Sequence, residues 1–380
     1  MDDLIKNEKI DIDCRALSEP FLSEFMEGGK YEPFVKLVKK YKDELELCFR
    51  GNNLPSEAVC IYYNNHLVYK IESNGNITIN FDHARYSKDY NTYWTMINQT
   101  YEFNTNAPKE PRIKVKVNKR KKTGDVSYST EVSYITAPYN ESIKNNVERI
   151  YVDCIRKMLI DSFDTRNTKD YFREKADKTN DKYKGQLSQS GRKAIWLEKV
   201  RQQQLFAKMK HTTDGYFFFD MEFSQKSLKD SDQYGEALSN EPDMLAIFFD
   251  SNGLPKKYTF VEVKCTNSAY TGKSGMVAHL QKMKEYPVEY MEARLREAAL
   301  VLKQYEKLGF YSFAQPVQMA DYMKLVSKKP ENLFVFTDDA LDKFRCDNCN
   351  EIIDFKKNAK KKEEIDIHIS GCKEIEFWEL

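Results

Sequence analysis

An α/β architecture in three parts is predicted for this chain: an α+β domain over residues 1–185, an α/β domain over 186–343 and a small appendage over 344–380. Three observations carry the prediction. Between residues 45 and 80, short β-branched and aromatic runs are punctuated by turn residues, as in an antiparallel meander. From 190 to 337 the pattern becomes helix, strand, strand, strand, helix, strand. At the end, "CDNC" and "HISGC" place two close pairs of metal-type ligands around a lysine-rich stretch.

Size and composition fit this division. A chain of 380 residues exceeds the usual size of one hydrophobic core. Its 60 lysines and arginines are matched by 59 acids, so no global basic field draws it to nucleic acid, and any such contact must be local. Two runs offer one, "KEPRIKVKVNKRKK" (109–122) and "FKKNAKKKEE" (355–364), the other reading of each being a solvated hairpin tip or loop. The acidic start "MDDLIKNEKIDID" lacks the pattern of a signal peptide, and no apolar stretch is long enough to span a bilayer. A soluble, cytoplasmic protein with no membrane partner is expected. Of the eight cysteines, Cys14, Cys48, Cys60, Cys154 and Cys265 sit singly among core-like residues and read as buried thiols rather than as a disulfide framework.

Residues 19–44 carry apolar positions at helical spacing broken at Gly28 and Gly29, which predicts two helices or a helix and a turn. Strands follow at "LELCFR", "AVCIYYN", "HLVYKIE" and "NITINF", and a further one at "STEVSYITA" (129–137). The segment 140–163 reads as an amphipathic helix with a good start signal. Residues 164–191 are charged and nearly free of aliphatic side chains, which places the domain boundary there. Beyond it, Ile195, Trp196, Val200, Leu205 and Phe206 mark a helical face, and "GYFFFDMEF" (215–223), "DMLAIFFD" (243–250) and "KYTFVEVK" (257–264) mark strands. A long helix or two follow, broken before Pro287, and "NLFVFT" (332–337) supplies the last strand.

The hairpin between 241 and 264 holds charges where a sheet core is expected. If its turn centres on residues 253 and 254, Asp243 lies across from Lys264, and Glu262 shares a face with Lys264 two residues away. A carboxylate pair at one spot repels itself unless neutralised, and a divalent cation with oxygen ligands does so. A lysine beside such a cation stabilises a phosphate or orients attacking water.

With Pro242 and Asp243 as a PD pair and Glu262, Val263 and Lys264 as an ExK element, the segment 188–340 resembles the PD-(D/E)XK nuclease superfamily. The order of elements is similar to that family's restriction-endonuclease-like core (helix-strand-strand-strand-helix-strand). The resemblance implies metal-dependent phosphodiester hydrolysis, with Asp243 and Glu262 as Mg2+ (or Mn2+) ligands and Asp243, Glu262 and Lys264 as the catalytic residues. A further acidic ligand is implied on the first helix, where Glu198 stands, with Glu222 as its rival. A glutamine on the helix after ExK, as in RecB-like members, has a counterpart in Gln281, although Tyr286 follows it one residue too late for that pattern. The other reading of the hairpin is an edge hairpin whose Glu262 and Lys264 form a surface salt bridge.

Other motifs yield less. "YTGKSG" (270–275) ends like a phosphate-binding loop, but the position of its first glycine is Asn267. Lys273 and the helix start after it then remain a loose candidate for a backbone phosphate. His66, His83, His211 and His279 stand apart from any nucleophile motif and read as structural.

Cys346 and Cys349, with His368 and Cys372, have the two-residue and three-residue gaps of a tetrahedral zinc site, and the expectation is a small structural Zn2+ unit. The functional expectation is a DNA endonuclease of a prokaryotic restriction or antiviral defence system, acting as a homodimer or with a defence-system partner. Two alternatives stay open: an RNA-directed nuclease, and a non-catalytic nucleic-acid-binding or assembly protein on the same scaffold.

Overall fold

The computed structural model describes residues 15–51, 57–63, 66–80, 92, 96–97, 115–119, 126–130, 134–163, 201–203, 205–206, 215–221, 242–264, 290–337, 367–371 and 377–379. The chain forms two compact units of interleaved segments. One collects Glu19–Leu47 and Ser56–Lys199, the other Met1–Ser18, Cys48–Pro55 and Val200–Leu380. The boundary expected across 164–191 lies outside the described residues.

The first unit is built on an antiparallel meander. Strands β1 (Leu45–Arg50), β2 (Ala58–Tyr63), β3 (His66–Glu72), β4 (Asn76–Asn80) and β7 (Tyr134–Pro138) follow the order β1-β2-β3-β4-β7, with the change of unit falling after Leu47 inside β1. Gly75, at φ 91°, turns β3 into β4, a conformation that costs a residue with a Cβ. Helices α1 (Glu19–Ser23) and α2 (Glu32–Lys40) precede the sheet, and α2 buries Phe34, Val35, Leu37 and Val38. Each such side chain removed from water contributes about 1.5–3 kcal/mol.

Helix α3 (Glu141–Ile150) starts at Asn140, whose side chain accepts from the Ile143 N–H at 2.8 Å, a cap worth about 1 kcal/mol. It runs through a π turn (Tyr151–Ile155) into α4 (Arg156–Phe163), so the helix expected over 140–163 is present with a wide turn at its middle. Tyr62, Tyr63 and Tyr69 are buried, and the Tyr69 hydroxyl donates to the Val147 carbonyl at 3.3 Å. The strand expected over 129–137 is instead two strands with different partners. β5 (Val115–Lys119) and β6 (Val126–Thr130) form a sheet of their own, while β7 pairs with β4.

The second unit is a six-stranded mixed sheet in the order β13-β12-β11-β10-β9-β8. Strands β8 (Gly215–Met221), β9 (Met244–Phe249) and β10 (Pro255–Lys264) are antiparallel, β11 (Glu331–Phe336) runs parallel to β10, and β12 (Ile367–Gly371) runs parallel to β11. β13 (Phe377–Glu379) closes the edge antiparallel to β12. The segment expected as a separate appendage thus contributes two strands to this sheet.

Nearly every residue of β8 to β11 is buried, as a sheet covered on both faces requires. Helical backbone at 201–203 and 205–206 precedes β8, and α5 (Met291–Lys307) and the short α6 (Met319–Met323) stand between β10 and β11. α5 buries Leu295, Ala298, Val301, Leu302 and Tyr305 at helical spacing. Among the described residues, no helix is long and apolar enough to cross a membrane.

Candidate functional site

Hairpin β9–β10 positions the candidate residues. Its turn is organised by Asp250, whose Oδ1 accepts from the N–H groups of Asn252 (3.0 Å) and Leu254 (2.9 Å), while Gly253 takes φ 71°. Those backbone donors, Leu254 first, and then Lys256 hold the Asp250 carboxyl below its ordinary value. Phe249 pairs with Pro255 and Phe248 with Lys257, so the turn centres on Asn252 and one extra residue bulges into β10.

That geometry corrects the register read from sequence. The last registered pair is Val261 with Met244, which sets Asp243 at the level of Glu262, two residues short of Lys264. The convergence survives by another route. The Asp243 carboxylate reaches across and accepts the Val263 N–H at 2.7 Å, arriving at the peptide between Glu262 and Lys264.

Glu262 and Lys264 share a face of β10 and form an ion pair, Lys264 Nζ donating to Glu262 Oε2 at 3.0 Å. Their side chains are 2% and 8% exposed, so the edge hairpin with a surface salt bridge is not what the chain builds. β10 is flanked on one side by β9 and on the other by β11, and the Lys264 carbonyl accepts from the Thr337 N–H at 3.0 Å, which fixes the strand end carrying the lysine.

Within this trio, two carboxylates against one ammonium leave an excess of negative charge in a water-poor setting, where electrostatic interactions are strong. Such a cluster suits a hard cation with oxygen ligands. Among the described residues, no group of three or more His, Cys, Asp or Glu side chains is arranged to hold a metal ion. Glu198, Glu222 and Gln281 lie outside the described residues, as do Lys273, Cys346, Cys349 and Cys372. His368 lies on β12, in register with Leu333 and Glu379. His66 is buried at the start of β3.

Two buried charged groups in the second unit escape a sequence reading. Asp220 on β8, 1% exposed, accepts from Arg15 Nε at 2.9 Å and from Arg50 Nη1 at 3.0 Å. Through Leu245 it is in row with Phe260, two residues before Glu262, so it occupies the face of the sheet that carries Glu262 and Lys264. The acid inside "FFFDMEF" was the available signal, and it pointed equally to Glu222. Glu297 on α5 accepts from the Arg15 backbone N–H at 2.7 Å and from Arg294 Nη1 at 2.7 Å. Burial pushes its carboxyl above the ordinary value, partly opposed by Arg294.

At the other end of β10, Glu331 accepts from Tyr216 (2.9 Å), Thr259 (3.0 Å) and Lys257 (2.7 Å), and this buried carboxylate is satisfied by structural partners.

Comparison of the chain with protein-family models, with curated proteins and with solved structures returned no match.

Proposed function

We propose that the chain is a metal-dependent nuclease of the PD-(D/E)XK kind, a DNA endonuclease whose active centre is Asp243, Glu262 and Lys264. One observation carries the reading: the Asp243 carboxylate on the Val263 N–H, which brings it to the peptide joining a buried Glu262 to a buried Lys264. The described order of helix, three antiparallel strands, helix and a strand parallel to the third supports it.

Asp243 and Glu262 would hold Mg2+, or Mn2+, with Glu198 or Glu222 as a further oxygen ligand. The ion, when bound, lowers the pKa of a coordinated water and polarises a phosphoryl oxygen. The chain's own part is positional and electrostatic. The Val263 N–H fixes the Asp243 carboxylate, and the ion pair with Glu262 orients the Lys264 ammonium on the shared strand face. Lys264 then faces the negative charge that builds on the phosphate as water adds to phosphorus, one P–O ester bond breaks and the departing oxygen takes a proton.

A place in prokaryotic restriction or antiviral defence, cytoplasmic location and action as a homodimer or with a defence-system partner go with this reading by likeness to the family. Cys346, Cys349, His368 and Cys372 would hold a structural Zn2+ by the chemistry of their donor set. The deciding experiment incubates supercoiled plasmid, single-stranded DNA and RNA with the purified chain in Mg2+ or EDTA, beside Lys264→Ala. Mg2+-dependent nicking or linearisation of the plasmid that vanishes in the variant is expected. Binding without cleavage in Mg2+ and in Mn2+ would overturn the enzyme reading in favour of a scaffold, and preference for RNA would overturn the substrate.

A further inference from the structure

The charges gathered around Asp220 do not balance. Each of its carboxylate oxygens holds a guanidinium, Oδ2 that of Arg15 through Nε at 2.9 Å and Oδ1 that of Arg50 through Nη1 at 3.0 Å. Glu297 and Arg294 answer each other at 2.7 Å. Of these five side chains three are cationic and two anionic, which leaves one positive charge in excess. A charge held away from water is costly unless paired, and a structural ion pair needs only one guanidinium for its carboxylate.

The surplus is presented outward. Asp220 is 1% exposed, against 14% for the side chain of Arg15 and 13% for that of Arg50, so the carboxylate is closed off while each guanidinium keeps an edge at the surface. Arg50 is tied further, Nη1 donating to the Phe49 carbonyl at 3.3 Å and Nη2 to the Met221 carbonyl at 3.4 Å. Arg15 is fixed from behind, its backbone N–H by Glu297 at 2.7 Å and its Nε by Asp220. Its Nη1 and Nη2 have no hydrogen-bond partner among the described residues. They make a planar fork, already oriented, of the kind that meets two oxygens of a phosphate.

The fork belongs to the face of the sheet that carries the candidate site. Asp220 is in row through Leu245 with Phe260, and Glu262 stands two residues further along β10 on the same face. Two strand spacings of about 4.8 Å and two residues of about 3.4 Å put about 12 Å between the Cα atoms of Asp220 and Glu262. Three or four nucleotides of one strand cover that length at about 3.4 Å of rise each. A strand with its scissile phosphate at Lys264 therefore sets another phosphate within reach of Arg15.

We propose that Arg15 binds a non-scissile phosphate of the substrate strand, with Arg50 adding positive charge beside it and Asp220 as the positioning residue that orients the fork. The proposal deepens the nuclease reading and rests on it for the path of the strand, but not for its test.

The test uses the full chain in EDTA, so that nothing is cut. Binding to a fluorescent DNA duplex with single-stranded overhangs is followed by anisotropy over a salt series, for the parent, Arg15→Lys and Arg15→Gln. The lysine keeps a charge for Asp220 and removes the fork; the glutamine removes both. Affinity is expected to fall by about tenfold in each, and the slope of log K against log salt to fall by about one in Arg15→Gln alone. Circular dichroism and melting identify the folded variants. A second measurement needs no variant: bromouracil-substituted DNA of the same design, photo-cross-linked to the native chain, is expected to mark the peptides that carry Arg15 or Arg50.

Folded variants that bind within about twofold of the parent, cross-links confined to other peptides, or no binding by the parent would overturn the proposal. Inorganic phosphate is the other source of the same chemistry. If it raised the melting temperature of the parent over a chloride control of equal ionic strength, but not that of Arg15→Gln, while DNA affinity stayed unchanged by the substitution, the fork would belong to free phosphate and the proposal would fall. The two readings fail separately. Cleavage with Arg15-independent binding removes the phosphate site and leaves the nuclease, and Arg15-dependent binding by a chain that cuts nothing in Mg2+ or Mn2+ removes the nuclease and leaves the phosphate site.

Discussion

The Asp243 carboxylate accepts the backbone N–H of Val263 at 2.7 Å, so the acid just before β9 is tied to the residue between Glu262 and Lys264 on β10. Its charge and its hydrogen bond are separable. Asp243→Asn keeps an acceptor for the N–H and removes the charge, so Mg2+-dependent cleavage should fall by 100-fold or more while the urea midpoint stays close to the parent. Asp243→Ala should lose the activity and in addition about 1–3 kcal/mol of stability, the cost of an orphaned N–H. Equal destabilisation by both variants would show that the charge, not the bond, holds the hairpin.

Glu262 and Lys264 stand as a buried pair on one strand. Removing one partner leaves an uncompensated buried charge, which costs about 3–5 kcal/mol. Lys264→Met alone and Glu262→Gln alone should each destabilise by that order in urea unfolding. The double variant should lose less than the sum of the two single losses, by a coupling of about 1–3 kcal/mol. Additive losses would argue that the pair is not coupled.

Asp220 holds Arg15 and Arg50 from two distant segments. Asp220→Ala should destabilise the chain by about 3–5 kcal/mol, and Asp220→Asn by less, because the amide oxygen still accepts from one guanidinium. A thermal shift below 1 °C for the alanine variant would refute this role.

Glu297 gives the chain a pH dependence with a defined sign. Burial raises its folded pKa above the ordinary 4.5, so its stabilising contribution is full below 4.5 and is lost as pH climbs through the raised folded value. Glu297→Gln does not ionise. The unfolding free energy of the variant minus that of the parent should therefore become more positive between pH 4.5 and pH 7, and a difference that stays flat across that range would exclude it.

Burial pushes the Cys154 thiol up to about 12, with the Asp153 carboxylate adding to the effect. At pH 8 this thiol should resist iodoacetamide in the native chain and react readily in urea, as mapped by mass spectrometry. Rapid native labelling of Cys154 would mean that the helix around the π turn opens.

The strands that carry the candidate site were legible because burial on both faces leaves long runs such as "FFFDM", "MLAIFF" and "YTFVEV" that fit little else. Their register was not. It depends on the Asp250 side chain building a turn centred on Asn252 and on one bulged residue after Pro255, neither of which changes the hydrophobic pattern. Asp220 and Glu297 were missed for a different reason, since the arginine that engages both is 205 and 282 residues away in sequence. β12 and β13 follow a lysine-rich stretch, where "HISGC" drew attention as ligands, although "IHISG" is also a short alternating strand.

The backbone of Leu17 is held at both its polar groups by one side chain: its N–H donates to Gln304 Oε1 at 2.9 Å and its carbonyl accepts from Gln304 Nε2 at 2.7 Å. On the ribosome these partners are separated by time. At about 5–20 residues per second, the glutamine is made roughly 15–60 s after the leucine. Ala16 and Leu17, buried in the finished fold, must therefore stay in water or in the care of a chaperone for that interval. The last turns of α5 set the moment at which the Leu17 backbone finds its partner.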